Sequence, residues 1–141
     1  MAVDIKTLRI GSHILVNGKR ERVRGLDEDN GLIVRFPAEY VMANEGEPIP
    51  ITPALCEELR FINTSWSGRR IVYTNGNEDD DPWIEFKNLK DRWELFVCNN
   101  GWQGQTVVRY LHEAEAFLAL HGVELINENK KITELWAVIY I

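Results

Sequence analysis

Apolar and polar positions alternate in short runs over the first third of the chain. His13–Val16 and the residues from Lys19 onward flank Asn17-Gly18. That pair readily takes the positive φ angles of a type I′ turn, so it predicts a β-hairpin. A second turn at 27–31 leads into Leu32–Phe36, whose β-branched and aromatic side chains predict the next strand. Pro37 has no N–H to give a neighbouring strand, so it ends this one or places it at a sheet edge. Tyr40–Ala43 adds a short strand before a polar loop at 44–48.

Thr52-Pro53 has the chemistry of a helix start: the threonine hydroxyl accepts from a free helical N–H, and proline at the first helical position has no N–H to lose. Leu55 and Leu59 then give a helix over 53–60 one apolar side. Strands follow at Ile71–Tyr73, Trp83–Phe86 and Trp93–Val97, with turns at Asn75-Gly76, 88–91 and 99–101, which reads as an antiparallel meander. From Val107 the period lengthens. Val107, Tyr110, Leu111, Ala114, Phe117, Leu118 and His121 recur at three and four residues, which predicts an amphipathic helix over 107–120 with Gly122 as its left-handed terminator. The apolar run Glu134–Ile141 predicts a final strand covered on both faces.

The chain has 141 residues, 45% apolar and 27% charged, within the usual range of a single globular domain. Its longest apolar run, Leu135–Ile141, falls far short of the roughly 20 residues a spanning helix needs, and the opening segment has no secretory h-region. The expectation is a cytoplasmic protein without membrane association. Cys56 and Cys98 show no C-x-x-C spacing and are expected as free thiols. The net charge of −6 gives a field that does not favour nucleic acid.

Locally the picture differs. Arg20, Arg22 and Arg24 alternate along a strand and so share a face, which offers a stripe for phosphate contacts. A two-residue turn, however, pairs Leu15 with Arg20 and puts an apolar residue on that basic face. The plainer alternative is a solvated face whose arginines pair with carboxylates. Five tryptophans are present; Trp83, Trp93 and Trp136 sit in apolar strands and are assigned to the core. Trp66 and Trp102 lie among turn residues and are the better contact candidates. The oxygen-rich loop at 75–81 lacks EF-hand spacing, and His112 and His121 fall on opposite faces of one helix, so no metal site is expected. No phosphate loop, dinucleotide fingerprint, zinc-protease or nucleophile-elbow motif is present, so neither cofactor nor catalytic residues are assigned.

Two stretches, Leu8–Phe36 (LRIGSHILVNGKRERVRGLDEDNGLIVRF) and Tyr110–Leu125 (YLHEAEAFLALHGVEL), resemble segments of a group of small uncharacterised proteins from Bacteroidota and their prophages or mobile elements. Tyr110, His112, Glu113, Leu118, Leu120 and Gly122 match that group's helix motif, while Ala114 and Glu115 stand where it has Leu-Gln. The resemblance implies a phage or mobile-element source and supplies no activity. The whole sequence reads as α+β: a small antiparallel β-barrel-like lobe at 1–52, resembling Tudor- or KOW-type modules, and an α+β lobe at 53–141, the two being separate or one continuous domain. The leading expectation is a non-enzymatic protein-interaction module with an unidentified protein partner. A nucleic-acid module using the arginine stripe comes second, and an enzyme third.

Overall fold

The computed structural model describes residues 3, 7–27, 32–35, 39–42, 46–64, 71–76 and 82–126, with backbone only at 27, 32–35 and 39–42. The strand expected at Glu134–Ile141, Trp66, Trp136 and most of the 75–81 loop lie outside the described residues.

The described chain is α+β and mostly strand. The first hairpin joins β1 (His13–Val16) to β2 (Lys19–Arg22), with Leu15 opposite Arg20 and His13 opposite Arg22. Asn17 and Gly18 have φ of 52° and 78°, as the type I′ turn requires. β3 (Gly25–Asp27), β4 (Leu32–Arg35) and β5 (Glu39–Met42) form a second antiparallel ladder. Gly46–Glu47, expected as loop, is a short strand, β6, paired with the end of β1. Its glycine carbonyl also accepts from the Val3 N–H at 2.9 Å. Among the described residues no ladder closes these strands into a barrel.

Helix α1 (Pro53–Glu58) begins as its sequence dictates, with the Leu55 N–H donating to Thr52 Oγ1 at 3.1 Å and proline in the first turn. β7 (Ile62–Asn63), β8 (Ile71–Thr74), β9 (Trp83–Leu89), β10 (Arg92–Asn99) and β11 (Trp102–Val108) then follow one another in a five-stranded antiparallel meander. The β10–β11 turn again uses an Asn-Gly pair, Asn100 and Gly101, at positive φ.

Helix α2 covers Leu111–Leu120, four residues shorter at its start than its apolar period predicts. Val107 belongs to β11, and Tyr110 is the extended N-cap residue. Tyrosine has no short oxygen with which to cap. Glu113 supplies the cap from inside the helix, its Oε1 accepting from the Arg109 and Tyr110 N–H groups at 2.9 and 3.0 Å. The far end closes as a Schellman turn: Val123 N–H donates to Leu118 O and Gly122 N–H to Ala119 O, with Gly122 at φ 73°.

Leu111, Ala114 and Leu118 pack on the inner face of the meander with Phe86, Leu95, Val97 and Val108, forming the larger apolar cluster with Ile49, Ile51, Leu55 and Cys56. Trp93 belongs to it, while Trp83 is half-buried. Gly104 lets the helix approach, because a Cβ there would lie within 2.6 Å of the His121 ring and 3.0 Å from Phe117. A second, smaller cluster of Val3, Leu8, Ile14, Val16 and Val23 fills the other side of the first hairpin.

Burial also fixes thiol chemistry. Cys56 and Cys98 are free, and desolvation, helped by the neighbouring Glu57 carboxylate, pushes the Cys56 thiol up to about 12. Since the thiolate is the nucleophile, Cys56 is expected to resist iodoacetamide at pH 8 in the folded protein and react once unfolded in guanidinium. Mass mapping of the two cysteines with and without denaturant checks this. Equal labelling in both conditions would contradict the burial.

Candidate functional site

Between the first hairpin and α2 lies an interface built from polar side chains. The pleat of β1 decides who faces it: Ile14 and Val16 turn into the smaller cluster, so His13 and Leu15 turn toward α2 and the larger one. His13 is buried, and its backbone N–H donates to Glu115 Oε1 at 2.8 Å. Its Nδ1 lies 2.6 Å from Glu115 Oε2, and because an ionised carboxylate only accepts, the ring N–H donates. One carboxylate thus satisfies a strand-edge amide and an imidazole together.

One turn earlier on α2, His112 is also buried, with Nε2 3.1 Å from Thr7 Oγ1 and Nδ1 without a hydrogen-bond partner. Keeping the neutral ring's proton on Nε2 leaves a bare lone pair at Nδ1, whereas protonation would bury an N–H there with no acceptor. Tyr110 stacks against the ring at 5.8 Å between centroids. Desolvation lowers the His112 pKa below its usual value, and the Glu113 and Glu115 carboxylates oppose this only in part.

That shift has a definite sign. The unfolded chain binds a proton near pH 6.5 that the folded chain refuses until lower pH, so the contribution of neutral His112 is complete above about 6.5 and is lost as pH falls below it. Urea denaturation at pH 7 and 5 is expected to show a smaller loss of stability for His112→Gln than for the natural chain. Identical losses would remove His112 from the account.

Beside this polar seam runs a cleft of about 330 Å³. One wall carries Arg9, Ile10, Gly11 and Arg22, and the other carries Ala119 and the chain leaving α2 at Val123, Leu125 and Ile126. Arg9 Nη1 reaches across to Ala116 O at 3.3 Å.

The sequence-derived candidates are dispersed. Arg20 and Arg22 share the face of β2 opposite His13 and Leu15, so they turn toward the helices rather than onto an open surface. Arg20 Nη1 lies 3.0 Å from Glu58 Oε1, a charge contact too poorly aligned to count as a hydrogen bond. Arg22 lies in the cleft wall, and Arg24 is exposed beyond the end of β2. Trp102 opens β11 rather than sitting in a turn, and it is 77% exposed. His112 and His121 do occupy opposite sides of α2, the first near Thr7 and the second against Gly104. Among the described residues no three His, Cys, Asp or Glu side chains converge as metal ligands, and no helix is long and apolar enough to cross a membrane.

Sequence reasoning missed the seam. His112 and Glu115 sit three apart on α2, off the apolar stripe, and that spacing is the one local hint that the helix has a second buried side. No known protein family, curated protein or solved structure matches the chain.

Proposed function

We propose that this chain is a non-enzymatic protein-interaction module of a phage or mobile element, in which the first 52 residues form a small barrel-like lobe against an α+β lobe. The observation that carries the reading is Trp102, 77% exposed at the start of β11. A large indole held in water by a regular hairpin is the kind of side chain whose burial anchors protein interfaces. The inward turn of Arg20 and Arg22 favours a protein partner over nucleic acid, because one meets Glu58 and the other lines the cleft wall, which leaves no open stripe for a phosphate backbone to follow.

Two measurements test the reading. Labelled single- and double-stranded DNA and RNA are expected to bind negligibly by fluorescence anisotropy at about 200 mM salt. A partner captured by the natural chain is expected to be lost with Trp102→Ala and retained when Arg20, Arg22 and Arg24 are all changed to alanine. Submicromolar nucleic-acid binding abolished by the triple arginine change would replace this reading with a nucleic-acid one.

A further inference from the structure

We propose that the cleft beside α2 is a binding site for a carboxylate carried on a compact apolar body. Both walls are fixed before any ligand arrives. On one side the turn at 9–12 is closed by Ser12 N–H donating to Arg9 O and Arg9 N–H donating to Ser12 Oγ, each at 3.0 Å. Gly11, at φ 99°, donates from its N–H to Val23 O at 2.7 Å, tying the turn to the chain just beyond β2. On the other side the Schellman turn sets the course of Val123 onward. Preorganised walls spare a ligand the cost of ordering the site.

The lining separates into two chemistries. Val123, Leu125 and Ile126 offer an apolar surface, and Ile10, 70% exposed, extends it on the facing wall. Arg9 and Arg22 supply guanidinium groups, the side chain best matched to a carboxylate. Of the two acidic residues among the described lining, Glu115 has both oxygens engaged by His13, which leaves Glu124, exposed.

Two arginines near a helix C-terminus often serve only to offset its dipole. Here three carbonyls at that end already have donors. Leu118 O accepts from Val123 N–H, Ala119 O from Gly122 N–H, and His121 O from Asn99 Nδ2 at 2.8 Å. A guanidinium carries five N–H donors, so one long bond to Ala116 O leaves Arg9 most of its capacity. The volume sits at the small end of ligand pockets and takes one branched aliphatic group with its carboxylate with room to spare. A free branched-chain acid and the apolar C-terminal residue of another polypeptide share this chemistry.

The test uses the whole chain, isotope-labelled for NMR, titrated with 4-methylpentanoate, N-acetyl-leucine and N-acetyl-leucinamide. At least one acid is expected to shift amides confined to residues 9–12 and 116–126, with the neutral amide weaker by about tenfold or more. Binding of N-acetyl-leucine alone assigns the ligand to a polypeptide terminus, and binding of 4-methylpentanoate alone to a free acid; either supports the site. Arg22→Met is expected to weaken the acids by about tenfold. Ile10→Asp tests the same point without touching the core, since Ile10 is largely in water. It is expected to weaken the acids more than the amide, because both lose the apolar contact and only the acids meet a like charge. Acid and amide binding equally, no acid binding at millimolar concentration, or acids indifferent to both substitutions would overturn the proposal. Trp102→Ala is expected to leave the titration intact, so this site and the interaction surface fail separately.

Discussion

Leu118→Ala is expected to lower the unfolding free energy by about 2–5 kcal/mol. Leu118 is fully buried where α2 meets the meander, and it also gives its carbonyl to the Schellman turn that ends the helix. Removing its isopropyl group leaves a cavity between two elements already fixed by β-ladder and helix bonds, which limits how far the site can collapse. Two controls bracket the result. Leu120 is 76% exposed two residues on, so Leu120→Ala should stay within about 0.5 kcal/mol. Glu113→Ala should fall between them, at about 0.5–2 kcal/mol, because it uncaps the helix without opening the core. Urea denaturation ranks the three, and Leu118 at the level of Leu120 would mean that α2 is not packed on the meander.

The second large effect is expected from Glu115→Ala. It would orphan the His13 amide and imidazole donors in a buried seam, at about 1–3 kcal/mol for each. Glu115→Gln keeps an acceptor oxygen and should cost less. In a double-mutant cycle with His13→Ala, the combined loss should be well below the sum of the single losses, since the second change removes a ring whose Nδ1 contact the first has already taken away. Strict additivity would show that the two side chains do not act together.

What the sequence made legible was local. Asn17-Gly18, Thr52-Pro53 and Gly122 each specify backbone conformation within a few residues, and each stands where its chemistry requires. β11 was hidden for a physical reason. Its inward positions include Gly104 and Thr106 and its outward ones Gln103 and Gln105, so it lacks the apolar alternation that marks a half-buried strand. The helical period meanwhile runs back through Tyr110 to Val107, which the β10 pairing captures instead. The register of the first hairpin was readable from its turn, but not the meaning of Leu15 opposite Arg20. That mixed face is neither core nor open surface, because it meets the helices. The cleft and the seam depend on residues about a hundred positions apart, and no local pattern reports such a meeting.

That separation bears on how the molecule comes to be made. His13 and Glu115 stand 102 residues apart, and Thr7 and His112 stand 105 apart, so the first hairpin, synthesised well before α2, waits for that helix before its inward face is satisfied. Long-range closures of this kind slow folding. Until α2 emerges, the hairpin of β1 and β2 presents a half-apolar face with an unpaired buried-type amide, which is the condition under which a nascent segment engages a chaperone or a neighbouring chain. A stalled chain truncated before residue 111 should therefore expose His13 to hydrogen exchange, and one extended past α2 should protect it.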